Sequence, residues 1–435
     1  MTTMKPNQDG EEGRAMTSRE RLAATLNHRQ PDRVCVDFGA TFVTGIHVNA
    51  LGRLRRAVLG DSDHRVKVIE PYQMLGEVDD ALREALGIDV IGLLPRKSIF
   101  GTVQDNWKPF RMFDGTECLV PGNFNTTLDE NGDLLIYPEG DTTVPPSGHM
   151  PKKSYFFDSI IRQPEVDDDH LDPEDNLEEF GLLGAEDIEY FRRGRQWFDE
   201  RADCGAILIT PGTAFGDIAL VPAPFLKHPK GIRDIEEWYV STAIRKDYVL
   251  EVFERQCEIA EQNIRTLIDI FGDSVQVALL TGTDFGTQIG PFISTEAYRE
   301  LFMPFHKRLN DLIHRESNWK TFMHSCGSVY TLIPHFIESG FDILNPVQCS
   351  ATDMDPRRLK KEFGNDIVFW GAGVNTQQTI AFGTPDEVYA EVRERIEIFN
   401  EGGGMVFNSI HNIQANTPTE NMLAMFKAVK DSHAS

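Results

Sequence analysis

Eight short runs of apolar and β-branched residues, at 34–39, 89–94, 206–210, 277–280, 321–324, 343–348, 367–371 and 405–408, recur along this chain. Most are followed by a stretch with helical periodicity before the next begins. Continuous apolar runs of this length suit strands buried on both faces, the condition of a parallel sheet covered by helices. Eight of them with helices between predict a closed (β/α)₈ TIM barrel, with an open doubly wound sheet as the alternative. Helix punctuation supports the count. Thr17 and Glu20 form a capping box, while Thr384-Pro385-Asp386-Glu387 and Thr417-Pro418-Thr419-Glu420 place threonine at the cap, proline at N1 and glutamate at N3. In the helical stretch 243–271, Val249, Phe253, Cys257, Ala260, Ile264, Leu267 and Phe271 share one face, which puts Cys257 in the core.

The rhythm breaks between about 98 and 201, read as a β-rich insertion after the second strand, a flap over one end of the barrel. Asn131-Gly132 between two alternating runs predicts a hairpin. Asp129, Asn131 and Asp133 resemble the start of a calcium loop, but Leu134 and Gly140 stand where glycine and glutamate are required, which excludes that reading. Residues 1–16 are expected to be a disordered tail, and 17–435 a single barrel domain.

Composition narrows the partners. A net charge of −25 with no basic tract argues against nucleic acid or an anionic membrane. No apolar run reaches the length of a membrane span. Six scattered cysteines without a secretory signal suit reduced thiols in a cytoplasmic protein.

In such barrels chemistry gathers at the carboxyl ends of the strands. Inspecting those ends yields Asp37, Asp284, Gln288, His324, Cys326, Gln348, Cys349, Asn375, Asn408, His411, Asn412 and Gln414. His324 and Cys326 are two apart where a strand opens into a loop, so imidazole and thiol converge on one volume. His411, at the end of the eighth run, can face them across the mouth. The three make a candidate Zn²⁺ site with one position open, the arrangement of a catalytic zinc. Cys349 is a competing third or fourth ligand, and a thiol packed in a loop on the alternative reading. Asp284 either orients a ligand imidazole or satisfies loop amides. Gln288, Gln348, Asn408 and Asn412 either bind substrate or bond to backbone. The glycine runs 371–373 and 402–404 lack the helix and acidic residue of a dinucleotide site and read as tight turns.

The run from Arg21 to Val34, Asp284-Phe285-Gly286-Thr287-Gln288, His324-Ser325-Cys326-Gly327 and Asn345-Pro346-Val347-Gln348 resemble the uroporphyrinogen decarboxylase superfamily, and within it the corrinoid-linked methyltransferase branch. The resemblance extends over nearly the whole chain from Ser18, is densest from Asp284 onward and weakest over the insertion. It implies a (β/α)₈ barrel and a zinc held by a His-x-Cys pair plus a cysteine near the C-terminus, at the place His411 takes here. It also implies a corrinoid carried by a partner protein, since no Asp-x-His-x-x-Gly cobalamin setting occurs in this sequence.

Imidazole in place of thiolate leaves the metal one unit more positive and favours oxygen over sulfur. The expected activity is transfer of a methyl group from a small methylated substrate, preferably an aryl or other O-methyl ether, to the cobalt of the corrinoid protein. A methylcobamide:thiol methyltransferase is the alternative. A uroporphyrinogen-type decarboxylase is disfavoured, because the segment 37–44 after the first strand has no arginine to meet a polyanion. A barrel that binds corrinoid without chemistry is the non-enzymatic alternative.

Overall fold

The computed structural model describes residues 14–163 and 165–434. Of the expected tail, residues 1–13 lie outside the described residues. Eight strands, Cys35–Val36 (β1), Val90–Leu93 (β2), Gly205–Ile209 (β3), Val277–Thr281 (β4), Lys320–His324 (β5), Ile343–Asn345 (β6), Val368–Ala372 (β7) and Met405–Asn408 (β8), form one sheet. Every pairing in it is parallel, and each strand from β2 to β8 lies beside its successor in the chain, with β8 returning to β1. The topology is the predicted (β/α)₈ barrel.

Alternation along each strand explains why the runs are apolar throughout. Ile207, Val277, Leu279, Phe322, Ile343, Val368, Trp370 and Val406 pack together inside the barrel. Their neighbours Ala206, Leu208, Ala278, Leu280, Met323, Leu344, Phe369 and Phe407 belong to the layer between sheet and helices. Because successive side chains point to opposite faces, the inward series continues upward to His324 above Phe322, Asn345 above Ile343 and Asn408 above Val406.

Between β1 and β2 the ladder is replaced by one buried side chain. The Asp89 amide donates to the Val36 carbonyl at 2.8 Å, and Asp89 Oδ2 accepts from the Val36 amide at 2.9 Å. The same carboxylate accepts from Arg21 at 2.6 Å, from Arg33 at 2.7 and 2.8 Å and from the Ser18 hydroxyl at 2.6 Å. Arg21 sits on the first helix, Ser18–Leu26 (α1), which starts from the Thr17 capping box.

The stretch 98–201 is β-rich as far as residue 159. Strands Lys108–Arg111 and Glu117–Val120 form a hairpin, and Thr126–Leu128, Leu134–Ile136, Gly148–Met150 and Asp158–Ser159 form an antiparallel sheet. Phe100, Phe124 and Phe157 pack edge to face beneath it. Asp129 Oδ1 closes the expected turn by accepting the Asn131 and Asp133 amides. The remainder of the stretch holds a helix, Ala185–Asp199, in the connection from β2 to β3. The helix Pro385–Phe399 has its capping box at Thr384 and Glu387. Near the C-terminus the predicted cap at Thr417 is not formed: the helix spans Thr419–Asp431 with no side-chain cap. Thr417 instead closes the preceding turn, its amide bonded to the Gln414 carbonyl and its carbonyl accepting from Arg53. Among the described residues no helix is long and apolar enough to cross a membrane.

Asp89 is fully buried and satisfies two arginines at once. Replacing it with alanine leaves Arg33 without its carboxylate, leaves Arg21 with Asp32 alone, and opens the β1–β2 seam. Breaking a buried ion pair from one side costs about 3–5 kcal/mol, so Asp89→Ala is expected to lower the unfolding free energy by that order in urea titration, whereas Lys427→Ala at an exposed surface ion pair is expected to leave the urea midpoint nearly unchanged.

Candidate metal centre

The carboxyl ends of β4 and β5 are drawn together by contact between loop backbones. A Cβ on Gly286 would lie 2.5 Å from the Cys326 carbonyl oxygen, and one on Gly327, whose φ is +87°, would lie 2.4 Å from Gly286. Only glycine permits both the approach and the positive φ. This closeness lets Asp284 Oδ1 accept the Cys326 amide at 2.6 Å. The loop is pinned further along by Gln348, whose Oε1 accepts from the Gly327 amide at 2.9 Å and whose Nε2 donates to Gln288 Oε1 at 2.9 Å.

His324 Nε2 lies 3.4 Å from Cys326 Sγ and 3.7 Å from Asp284 Oδ1. The donor atoms of Asp284, His324 and Cys326 all fall within 4.8 Å of one another. The tautomer of His324 follows from its other nitrogen. Asn345 Nδ2 donates to the Trp370 carbonyl at 2.8 Å, which leaves Asn345 Oδ1 facing His324 Nδ1 at 2.6 Å. Oδ1 can only accept, so Nδ1 carries the proton and Nε2 presents its lone pair to the cluster. Asn345 was part of the motif read from the sequence but not one of the site candidates. Its signal was position: it ends β6, and it pairs in register with His324 on β5.

Burial lowers the His324 pKa, partly offset by Asp284, and so keeps the imidazole neutral. The Cys326 thiol is pushed well up by burial and then by Asp284, so it is protonated without a metal. The nitrogen, sulfur and oxygen donors suit Zn²⁺ in kind. Two donors of a tetrahedral zinc stand roughly 3.3–3.6 Å apart, given metal–ligand bonds of about 2.0–2.3 Å. The 3.4 and 3.7 Å separations seen here are close to that.

The other candidates are placed differently. His411 is in neither of the donor groups found among the described residues, the second being Asp129, Asp133 and His149. It is near enough to the first that, after burial, the His324 charge is the next largest influence lowering its pKa. In the second group the Asp133 oxygens are taken up by the Lys152 amide and His149. Cys349 is pushed up to about 12 by burial and belongs to neither group. Asn408 and Asn412 are buried and bonded to the loop after β1: Asn408 Nδ2 to the Asp37 carbonyl, Asn412 to the Gly45 amide, the Phe42 carbonyl and Gln73. Their side-chain amides hold that loop down. Asp37 lies inside the barrel, accepting from Trp370 Nε1 at 2.9 Å.

Sequence reasoning did not find Asp217. It follows β3 in a long irregular connection, is buried, and is raised to about 7 by burial with a contribution from Asp284.

Fold and site together define a (β/α)₈ barrel with a candidate metal centre at its mouth. The sequence model of the family described as Uroporphyrinogen decarboxylase (URO-D) matches residues 231–432, the part that carries β4 to β8 and every candidate ligand. Over that stretch, just under half of its length, the chain is similar to the uroporphyrinogen decarboxylase family. It is 30% identical over 141 residues to the methylated-thiol–coenzyme M methyltransferase of Methanosarcina mazei, covering 32% of this chain and 34% of that one. To a uroporphyrinogen decarboxylase of Shewanella halifaxensis it is 24% identical over 211 residues, covering 45% and 57%. The chain thus spans between a third and just over half the length of these relatives. A solved structure of a methyltransferase from Methanosarcina mazei superposes with a TM-score of 0.54 at 15% identity, over 96% of this chain and 99% of that one, and so shares the fold. The resemblance read from the sequence, to this superfamily and its methyltransferase branch, is supported by these matches.

Burial raises Asp37 to about 7, well above a free carboxyl. Between roughly pH 4 and 7 the native state therefore holds a proton that the unfolded chain has released, and stability from this group falls as pH rises through that window. Asp37→Asn does not titrate. Its unfolding free energy relative to the parent is expected to rise by on the order of 2–4 kcal/mol between pH 4 and pH 8 in denaturant titrations, and a difference independent of pH would refute the assignment.

Proposed function

We propose that this chain is a zinc-dependent methyltransferase that moves a methyl group between a small methylated substrate and the cobalt of a corrinoid carried by a separate protein. The observation that carries the reading is the convergence of His324 Nε2, Cys326 Sγ and the Asp284 carboxylate at the barrel mouth, with the histidine tautomer set by Asn345. His324 and Cys326 would hold the zinc. Asp284 is the third donor within reach, and His411 is the competing one. When bound, the zinc supplies a Lewis acid beside the heteroatom that carries the methyl group.

The chain's own residues prepare that place. Asn345 fixes the imidazole, and Gly286 with Gly327 fixes the loop that carries the thiol. The Cys326 thiol lies within hydrogen-bond distance of His324 Nε2, at 3.4 Å, and must lose its proton to become a ligand.

An O-methyl ether is the substrate we favour, because His411 stands where the resemblance implies a third thiolate. Thiol methylation is the second reading, favoured by the similarity to the methylated-thiol methyltransferase. Decarboxylation of a polyanionic tetrapyrrole is disfavoured by the arginine-free loop after β1.

Elemental analysis is expected to give about one zinc per chain. His324→Ala and Cys326→Ser should lose zinc and methyl–cobalt formation with circular dichroism unchanged, and retention of zinc by both would end the proposal. Asp284→Asn and His411→Ala separate the two assignments of the third donor: the true ligand is the one whose loss weakens zinc binding. Asn345→Ala should weaken zinc by about 10–100-fold.

Zinc loading is also expected to release about one proton per chain near pH 7, from Cys326, because the histidines are already neutral. Calorimetry in buffers of different ionisation enthalpy reads this directly, and release of none would place the thiol outside the coordination sphere.

A further inference from the structure

Beside the candidate metal centre, over the carboxyl ends of β3 and β4, lies a cavity of about 560 Å³. That is the size of pockets that enclose small organic ligands. Its wall is mostly apolar, with Tyr72, Leu94, Phe180, Ile209 and Leu279 among the contributors. Two cations line it, and both are committed to carboxylates. Arg96 pairs with Asp187 at 2.7 Å and Glu186 at 3.2 Å, and Lys97 pairs with Glu139 at 2.8 Å. Among the described residues, no lining cation is left to receive an anion.

Two acids on the wall, half-buried Glu70 and buried Asp217, have different commitments. Glu70 is satisfied, one oxygen accepting the Tyr72 amide and the other the Gln73 amide, each at 2.8 Å. Asp217 is 7% exposed, and its Oδ1 accepts the Ala219 amide at 2.9 Å. Its Oδ2 makes no hydrogen bond among the described residues and faces Gly282, where a Cβ would stand 2.8 Å away. Gly282 and Asp217 both line the cavity, and Gly282 precedes Asp284 by two residues. A side chain at position 282 would close over that oxygen, and the glycine leaves it uncovered on that side.

We propose that this cavity holds the methyl-bearing substrate, and that the substrate is an uncharged, largely apolar molecule about the size of one substituted ring, donating a hydrogen bond from a hydroxyl to Asp217 Oδ2. The inference rests on the methyltransferase reading and gives its substrate class. An anionic ligand would lose its water beside two acids with no free cation to meet it, which is costly. A hydroxyl satisfies the one open acceptor, while the ring fills the apolar volume. A site built around a buried polar group discriminates strongly against a ligand that cannot pair with it.

The test is equilibrium binding by calorimetry to the full-length protein as purified, its zinc content recorded in parallel, with 2-methoxyphenol, methoxybenzene and 2-methoxybenzoate as probes. The expected order is 2-methoxyphenol tightest, methoxybenzene at least about ten-fold weaker, and no detectable 2-methoxybenzoate. Asp217→Leu should bring 2-methoxyphenol down to the level of methoxybenzene. Asp217→Asn, which keeps an acceptor and the shape, should retain most of the affinity and serves as the folding control. Should Asp217→Leu not fold, the ranking of the three probes on the unaltered protein decides. Binding of the benzoate as tight as that of the phenol, equal binding of phenol and methoxybenzene, or no binding of any probe overturns the inference. Because the readout involves neither methyl transfer nor the cobalt partner, its failure leaves the zinc result standing, and a zinc-free protein that ranks the probes as expected would overturn only the metal reading.

Discussion

A single buried carboxylate completes this barrel. Parallel strands close into a cylinder only when the last seam is bridged, and here β1 and β2 form no ladder of their own. Asp89 substitutes for the missing pairs: its backbone and its side chain both bond Val36, while Arg21 and Arg33 balance its charge. A carboxylate in so dry a place is tolerated because every lone pair it has is occupied. With the cylinder closed, the inward side chains of all eight strands share one interior, and the polar ones at the carboxyl ends share one mouth.

That closure turns strand parity into chemistry. Phe322 and Ile343 are core, and two residues further on the same inward positions become His324 and Asn345. The geometry of the candidate site therefore depends on a register between neighbouring strands, which sets the imidazole against the amide that fixes its proton. The thiol and the carboxylate come from loops, and what brings those loops into range is the absence of side chains at Gly286 and Gly327. Rigid strands supply one donor of the candidate site and close backbone contact supplies the others.

Much of this was legible in the order of residues. The apolar runs at 206–210, 277–280, 367–371 and 405–408 became strands within a residue or two, because strands covered on both faces must be apolar throughout. The capping boxes at Thr17 and Thr384 formed as read, since they depend on neighbours three positions apart. His324 and Cys326 were found because a spacing of two at a strand end is itself geometry. Thr417 misled because it belongs to the turn closed on Gln414 and the helix starts two residues later, with Pro418 at its cap. Asn412 looked like a ligand-binding amide because its partners Gly45, Phe42 and Gln73 lie more than three hundred positions away.

The sequence by itself determined the barrel, the helix starts and the His-x-Cys pair, all of which follow from periodicity and short-range bonding. Only the tertiary structure decided that Asp284 joins that pair in one donor group while His411 does not, that Asn345 accepts the histidine's proton, and that Asp217 and Gly282 meet on the wall of one cavity. Those outcomes depend on which loops touch, and loop contacts between residues far apart in the chain leave no periodic trace in it.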